Sequence, residues 1–496
     1  MADYLGNVLI PPQTVEHQAA SLACAVEQVR EAQRQHGIVD LIVTVERTGN
    51  FHRATQRAFR EAGWETRIVH PFATKQYRLP ADAGNKTDTT DLYAQHRAAV
   101  AGFGLCERVL DERFQRLQLH IRHRRDLVEK SSALACQIRD HLHVALPGYA
   151  ELFSDLLAST AGMAVVRACD SPPKMLAPGV AGWSRLLREQ KVRFQTPTLE
   201  KIVAWAGQTS PRSLDPTAAW RHALAVDLLD QHQRLAARIE QWEGVIARDL
   251  VQTPYVKLLV IPGLNVVSVA DFAGEMGPIA HYANANAITG RAGLYPSRYQ
   301  SDQTDHQGAL VRKCNRSLRA ALMRIADNLC RFNSHFRGLA GVARAQKTDE
   351  RAIRVVFAKK FTRLAFAVVA GEQPLRHPCA AQPESILRKL REFHRQHGTP
   401  PDVVLADLEA ALTQLAPAAQ AREAQVVAAT LTPKRRGVTA LGDLVLAVLA
   451  KYRLTADPSS MSPQLVAAEP DVAASSGESD RAKPNNPDQL GTTAPS

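Results

Sequence analysis

The chain has 496 residues, of which 45% are hydrophobic and 22% are charged, and its formal net charge is +12. This length exceeds what one hydrophobic core usually covers, so several domains are expected. No apolar run is long enough to span a bilayer, and the amino terminus lacks the basic flank and apolar core of a secretion signal. The composition argues against membrane insertion and secretion, and it predicts a cytoplasmic location.

The charge indicates the kind of partner that the protein binds, and the cysteines indicate its redox compartment. The excess of bases favours a polyanionic partner such as nucleic acid. The seven cysteines are scattered without a C-x-x-C pair, which predicts free thiols in a reducing compartment rather than zinc ligands. From residue 455 onward, acids outnumber bases six to two and large apolar residues are almost absent. We expect residues 455–496 to be disordered.

The first hundred residues alternate short apolar runs with helical patterns. Strands are predicted at Val8–Ile10, Val39–Val45 and Thr66–His70. Helices are predicted between them, at Ala19–Arg34 and Ala54–Ala62. This order of strands and helices is typical of an α/β domain with a parallel sheet.

Three acids follow these elements. Glu46 ends the second predicted strand, and Asp88 and Asp91 lie three apart behind Thr87, a plausible helix N-cap. Ligands of such sheets gather beyond the carboxyl ends of the strands, and converging carboxylates repel one another unless cations neutralise them. The pattern therefore predicts bound Mg²⁺ or Mn²⁺. The alternatives are a solvated strand end for Glu46 and a helix-dipole role for the two aspartates.

Three motifs in this region resemble the one-ten family of bacterial insertion-sequence transposases: Val45–Gly49, His70-Pro71 and Lys86–Asp91. The resemblance implies a ribonuclease-H-like, resolvase-type nuclease with an Asp-Glu-Asp-Asp metal tetrad. Glu46, Asp88 and Asp91 would be its second, third and fourth members. Asp3–Asn7 looks like the turn that follows the family's opening strand, which carries the first aspartate. We expect the domain to lack that strand, through either a late coding start or decay of this copy.

Two long helical patterns follow, at Gly104–Leu146 and Thr217–Leu250, with apolar residues at heptad spacing. They predict an antiparallel coiled-coil stalk. Between them, Asp170–Pro216 holds six prolines and is predicted to be rich in loops. The first helix is basic, which indicates either a solvated face or contact with a nucleic-acid backbone. Its bases are Arg113, Arg116, Arg122, Arg124, Arg125 and Lys130.

Val260–Asn265 resembles the hairpin of helix-hairpin-helix DNA-binding elements. Gly263 would free the backbone to turn, and Asn265 is expected in the left-handed conformation. Backbone amides exposed there would hold a phosphate. The alternative is an ordinary turn between helices.

Ala292–Ser301 and Val311–Arg319 form the second match to the same family, in its C-terminal transposase domain. By this resemblance Ser301 is the nucleophile that joins covalently to a DNA strand end. Without it, Ser301 would be an ordinary loop serine, and Ser297 is the neighbour most easily confused with it. A serine hydroxyl needs activation, so nearby polar and basic residues are predicted to bind the DNA there. These residues are Arg312, Lys313, Asn315, Arg316 and Arg319.

Asp302 and Cys314 stand at two positions where the family usually has glycine. The predicted fold class is α/β plus all-α. The predicted domains are a truncated nuclease domain, a helical stalk with a loop-rich insertion, a C-terminal transposase domain, a helical extension and a disordered tail. Their bounds are 1–100, 101–250, 251–375, 376–454 and 455–496.

The resemblance implies DNA transposition by metal-assisted strand cleavage and serine-mediated strand transfer. It also implies a guide RNA encoded by the element, assembly as a homodimer or homotetramer, and association with the nucleoid. Two alternatives remain open. One is a catalytically defective nucleic-acid-binding remnant, and the other is a metal-dependent junction nuclease for which Ser301 would be irrelevant.

Overall fold

The computed structural model describes residues 1–415, apart from 48, 79–85, 108–109, 210–214, 302–303, 372–374 and 382–384. Over these residues the chain is mostly helical, with small sheets. It divides into two compact units, and the boundary falls between Glu112 and Arg113. Asp302 and the predicted disordered tail lie outside the described residues. No described helix has the length and apolar character needed to cross a bilayer.

Unit 1 is an α/β structure, as the alternating pattern predicts. Strands β1 and β2 are parallel, and β3 is antiparallel to β2, in the order β1-β2-β3. β1 therefore lies at one edge of this described sheet. The elements are α1 (Ala19–Gln35), β1 (Ile42–Glu46), α2 (His52–Glu61), β2 (Glu65–Val69), α3 (Pro71–Gln76), α4 (Asp88–Val100) and β3 (Gly104–Cys106).

The core of unit 1 forms where the sheet meets α3 and α4. Val69 at the end of β2 is fully buried and packs with Ala73 and Ala98. The side-chain amide of Gln95 on α4 donates to Thr44 Oγ1 on β1 at 3.3 Å. These contacts pack the second half of α4 against β1 and β2.

Three predictions for unit 1 were wrong in detail. Val8–Ile10 does not form a strand; Val8 makes only an isolated bridge with Ala2. β1 begins at Ile42, because the chain from Val39 is still exposed and that side chain is 87% accessible. Gly104–Cys106 pairs with β2 rather than opening the long helix.

Unit 2 is built from helices and one hairpin. The helices before the hairpin are α5 (Glu112–Ala145), α6 (Thr160–Ala168), α7 (Pro172–Leu176), α8 (Gly179–Glu189), α9 (Thr196–Gln208), α10 (Ala218–Val251), α11 (Val266–Met276) and α12 (Ala285–Arg291). The hairpin is β4 (Pro296–Ser301) and β5 (Thr304–Leu310). The later helices are α13 (Arg316–Phe332), α14 (Ser334–Ala345), α15 (Glu350–Ala370), α16 (Ser385–Gln396) and α17 (Pro401–Thr413).

The two long helices run antiparallel, as expected. Near the start of α5, Arg116 pairs with Asp249 near the end of α10, with Nε and Oδ1 2.7 Å apart. Near the other end, Asp140 of α5 lies 3.9 Å from Arg221 of α10. The finer coiled-coil packing stays a prediction.

Basic residues of α5 form ion pairs within unit 2. The sequence had suggested either a solvated face or contact with a nucleic-acid backbone. Arg124 pairs with Glu243 of α10 at 2.6 Å, and Arg125 pairs with Asp271 of α11 at 2.6 Å. Because α10 and α11 present acids toward α5, these guanidinium groups are neutralised within unit 2. The face therefore gives little support for a nucleic-acid contact at those residues.

The predicted loop-rich insertion is helical. Pro172 and Pro197 stand in the first turns of α7 and α9, and Pro178 is the N-cap of α8. Proline is well tolerated there because the first helical amides have no intrahelical acceptor. Trp183 and Ile202 then pack into the core between the ends of α5 and α10. In the described part of this segment, Pro172, Pro178 and Pro197 therefore mark helix starts rather than loops.

The helical extension contains a buried pair of titratable side chains. His394 of α16 and Asp407 of α17 are both almost inaccessible, and Nε2 and Oδ2 lie 3.4 Å apart. The pKa of His394 is lowered from 6.5 to about 4, mainly by burial and further by the nearby His397 and Arg248. Burial also raises the pKa of Asp407 from 3.8 to about 7. Between about pH 4 and pH 7, the folded chain therefore carries a neutral imidazole at His394 and a protonated carboxyl group at Asp407.

Replacing Asp407 by Asn should make folding stability depend on pH below neutrality. In the wild type, the raised pKa of Asp407 makes stability fall as pH rises between about 4 and 6.5, while the lowered pKa of His394 makes it rise. The two slopes cancel. Asp407→Asn leaves only the histidine slope, roughly 1 kcal/mol per pH unit, lost as pH falls. Urea unfolding across this pH range tests this, and parallel profiles for both proteins would contradict it.

Candidate active site

The predicted acids of unit 1 lie at the ends of two elements. Glu46 is the last residue of β1. Thr87 caps α4 as predicted, since its hydroxyl accepts from the Thr90 amide at 3.2 Å and the Thr90 hydroxyl accepts from the Thr87 amide. Asp88 and Asp91 consequently fall in the first turn of α4, where the helix dipole favours negative charge. The dipole role and metal binding are compatible at this position.

Arg78 interacts with both Asp91 and Glu46, through a hydrogen bond with the first and through charge with the second. Arg78 Nε donates to Asp91 Oδ1 at 2.6 Å, and both side chains are largely buried. The Asp91 hydrogen bond is the main cause that raises the pKa of Arg78, and the charge of Glu46 contributes as well. Asp88 is exposed one turn earlier on α4. Within the described ranges, no three Asp, Glu, His or Cys side chains lie close enough to form a metal cluster.

This arrangement fits a hard divalent ion in one of its common binding modes. Mg²⁺ is often held by one or two carboxylates, with waters and substrate phosphates completing its shell. Glu46 and Asp91 supply two carboxylates beside a position that already accommodates positive charge. Arg78 would have to withdraw for a metal ion to bind there. Asp88 as a third ligand stays a prediction.

Ser301 lies at the tip of the β4–β5 hairpin. It ends β4, is exposed, and pairs with Thr304 in the antiparallel register. Ser297 differs, because its hydroxyl donates to the Ala309 carbonyl across the hairpin at 3.1 Å. The structure therefore separates the two serines, since Ser301 stands at the tip and Ser297 is bonded within the ribbon.

The basic segment predicted to assist Ser301 lies at the other end of the hairpin. Arg312, Lys313 and Arg316 are exposed just after β5, where the Val311 amide donates to the Tyr295 carbonyl at 3.1 Å. At about 3.4 Å per strand residue, the hairpin base lies roughly 17 Å from its tip. Within one subunit these bases and Ser301 are not brought together. Their predicted DNA contacts would fall elsewhere on the strand.

Asn315 and Arg319 brace the base of the hairpin. Asn315 caps α13 by accepting from the Leu318 amide at 3.0 Å, and its own amide group donates to Glu275 at 3.2 Å. The Arg319 guanidinium donates to the carbonyls of Ala292, Gly293 and Val311. Both side chains therefore position the loop, and their predicted DNA contacts are untested.

Gly293→Ala should destabilise unit 2. Gly293 has φ +62°, and an added Cβ would lie 2.7 Å from the Cys314 Cβ and against the Arg319 guanidinium. The left-handed backbone and the overpacking together should cost roughly 3 kcal/mol. Gly290→Ala is the matched control, because that helical glycine has nothing within 4 Å of the added atom. Urea unfolding measures both, and equal stabilities would contradict the assignment.

The predicted hairpin at Val260–Asn265 is a packed turn between helices. Gly263 has the expected positive φ, +92°, and an added Cβ would lie 3.0 Å from the Asn328 carbonyl oxygen of α13. Asn265 is not left-handed, contrary to the prediction. Its φ is −119°, and its side chain caps α11 by accepting from the Ser268 amide at 2.8 Å. The cap satisfies one of the amides that a phosphate would need.

The carbonyls of this turn are also occupied. Lys389 of α16 donates to Leu259, Ile261 and Leu264 at 2.7–2.8 Å, and its burial lowers its pKa to about 8. Beside Asn265 lies a cavity of about 700 Å³. Its arginines pair with acids in its own wall, as Arg124 does with Glu243. These contacts favour the structural alternative, and DNA binding by Gly263 and Asn265 stays a prediction.

Sequence reasoning missed three residues that the fold brings to these sites: Arg78, Lys389 and Glu275. Arg78 stands in no motif, and only the fold places it beside Asp91. Glu275 is buried between Arg122 and Arg125 of α5. Burial alone would raise the pKa of Glu275, but its hydrogen bond to Arg122 and the nearby charges hold that pKa below its usual value. No local spacing could have indicated these long-range pairs.

Two family models match the chain. The first, an IS110-type DEDD transposase model, matches residues 3–147 and so contains Glu46, Asp88 and Asp91. The second, the transposase IS116/IS110/IS902 family, matches residues 256–340 and contains Ser301. No curated protein matches the chain.

The two matches define the chain as a DNA transposase. Residues 3–147 and 256–340 are similar to the N-terminal and C-terminal domains of IS110-type insertion-sequence transposases, so the predicted resemblance is confirmed. A DEDD domain of this kind implies dependence on a divalent metal and action on DNA.

Proposed function

We propose that the chain moves its insertion sequence by two linked activities. A ribonuclease-H-like nuclease site in unit 1 cleaves DNA, and Ser301 of unit 2 forms a covalent bond to a strand end. The observation that carries the proposal is that Arg78 hydrogen-bonds Asp91 and also interacts electrostatically with Glu46, the last residue of β1. A parallel sheet places ligands at this edge, which supports a catalytic centre there.

The nuclease half relies on carboxylate chemistry. Mg²⁺ or Mn²⁺, when bound, would stabilise the charge that develops on the attacking and leaving oxygens of the phosphodiester. Glu46 and Asp91 would hold it, with Asp88, three residues before Asp91 in the first turn of α4, as the third ligand. The capped start of α4 fixes both aspartates and adds the positive end of a helix dipole.

The serine half relies on exposure. Ser301 stands at the tip of a ribbon that is exposed along almost all of β4, so a strand end can reach its hydroxyl. Arg312, Lys313 and Arg316 lie at the base of the same hairpin and would bind the backbone further along the DNA. The hairpin would thus present the nucleophile while its base holds the duplex.

The partners follow from the charge and the family. The net charge of +12 favours polyanions, and the family resemblance implies a guide RNA encoded by the element. It also implies a homodimer or homotetramer, in which the metal site of one chain meets Ser301 of another. This arrangement would join acids and a serine that belong to different compact units.

A plasmid assay tests the proposal. The purified chain is incubated with a supercoiled plasmid carrying its coding region and flanking genomic DNA, with RNA transcribed from that plasmid. The expected result is rearranged DNA in Mg²⁺ or Mn²⁺ and none after chelation. Binding of the plasmid without rearrangement in either metal would contradict the proposal. It would favour the second candidate, a catalytically inactive DNA-binding protein, which the lack of a three-acid cluster in the described residues also favours.

A further inference from the structure

The β4–β5 hairpin presents two chemically different faces. Tyr299 pairs with His306, and Ser301 pairs with Thr304, in the antiparallel register. Paired residues point to the same side and neighbours along a strand point to opposite sides. Tyr299, Ser301 and His306 therefore share one face of the ribbon. Arg298 and Asp305 share the other face.

A contact on the opposite face shows that side chains reach diagonally across this ribbon. Arg298 lies opposite Gln307, yet it donates to both carboxylate oxygens of Asp305, two residues away, at 2.8 and 2.7 Å. Ser301 and His306 are likewise offset by two residues from direct pairing. Such diagonal neighbours are roughly 7–8 Å apart at the backbone, and their side chains can approach more closely. The imidazole can thus approach the Ser301 hydroxyl, directly or through one water.

The other described charged groups of the hairpin are less suited to this hydroxyl. Arg298 is held by Asp305 on the far face, and both side chains are engaged in that bidentate pair. Arg312 and Lys313 lie at the base, roughly 17 Å away by strand rise. Tyr299 shares the face, but a phenol is a poor proton acceptor near neutral pH. Both Ser301 and His306 are exposed, so a DNA strand can lie over both.

We propose that His306 is the proton acceptor for Ser301, an assignment that rests on the proposed function of Ser301 as the nucleophile. The imidazole takes the hydroxyl proton as Oγ bonds to phosphorus. The bond from phosphorus to the leaving sugar oxygen breaks, and that oxygen takes a proton from water. The imidazolium then returns its proton to the hydroxide formed. No oxidant, reductant or other co-reactant is needed.

The test measures the rate of DNA joining to Ser301 on the plasmid described above, as a function of pH. His306→Gln should lower the rate by about 10²- to 10⁴-fold and remove the limb of the pH profile that falls toward acid. Added imidazole should partly restore the rate of His306→Ala. Gln307→Ala, the adjacent residue on the far face, is the control and should match the wild type.

The outcomes separate the two proposals. If Ser301→Ala retains joining, the proposed function fails and this assignment fails with it. If Ser301→Ala is inactive but His306→Gln keeps the wild-type rate, only the assignment to His306 is overturned. The same holds if His306→Gln slows the reaction without changing the pH profile, because a structural role would act that way. Circular dichroism and plasmid binding confirm that each variant is folded.

Discussion

Ser301→Ala should abolish strand joining while leaving folding and DNA binding intact. The hydroxyl oxygen is the proposed nucleophile, and removing a nucleophile typically costs at least about 10⁴-fold in rate. Ser301 is exposed at the tip of the hairpin, so its truncation removes no buried contact. Plasmid rearrangement and plasmid binding, measured side by side, separate loss of chemistry from loss of affinity.

Ser297→Ala is the matched control. It removes the same atom four residues earlier, on a hydroxyl that is already bonded to the Ala309 carbonyl. Its rate should stay close to the wild type, with a stability loss of about 1 kcal/mol from the missing hydrogen bond. If the loss of joining followed Ser297 instead of Ser301, the assignment of the nucleophile would be reversed.

Asp91→Asn should abolish cleavage and weaken binding of Mn²⁺, whereas Arg78→Gln should strengthen that binding. Asp91 contributes a carboxylate that the metal would share with Glu46, so its loss should reduce affinity tenfold or more, on the order of 1.4 kcal/mol. Arg78 Nε lies 2.6 Å from Asp91 Oδ1, so the guanidinium group competes with the metal ion for this carboxylate. Removing this competing cation should raise the affinity for Mn²⁺ roughly fivefold.

If Asp91→Asn lowers the affinity for Mn²⁺ and Arg78→Gln raises it, the metal ion competes with Arg78 for Asp91. Titration calorimetry with Mn²⁺ on the full chain measures both. Asp126→Asn is the control, because Asp126 makes a comparable ion pair with Lys130 at 2.8 Å on the exposed face of α5. A fall in affinity for both Asp91→Asn and Arg78→Gln would mean that the pair is only structural.

Local signals in the sequence predicted several of the elements and some of their ends. Thr87 followed by an acidic helix start predicted the cap, because an N-cap is specified within four residues. Residues 217–250 predicted α10 to within a residue at each end, since 34 residues of helical spacing leave little ambiguity. Gly263 predicted a positive φ because few other residues adopt one.

Contacts between distant residues could not be predicted in this way. Arg78 lies beside Asp91 only because α3 and α4 pack against the same parallel strands. The arginines of α5 looked like a nucleic-acid surface until α10 and α11 supplied Glu243 and Asp271 as partners. Asn265 shows the remaining difficulty, since the same residue type favours both the left-handed conformation and an N-cap.

The same limit applies to the candidate site. Family motifs indicated Glu46, Asp88, Asp91 and Ser301, but the hairpin register decides which groups can assist the serine. That register places His306 on the face of Ser301 and leaves Arg312 at the base. The sequence alone suggested that Arg312 assists Ser301, because the two residues are close along the chain. In the hairpin, β5 runs away from the tip and carries Arg312 to the base.

The most direct test of the proposed mechanism is mass spectrometry of the covalent intermediate between the chain and DNA. The full chain is incubated with the plasmid and Mg²⁺, quenched, and digested with nuclease and protease. We expect a peptide that carries a nucleotide on Ser301, and this peptide should be absent from Ser301→Ala and from chelated samples. Rearranged DNA that forms without any adduct, or with the adduct on Ser297, would contradict it.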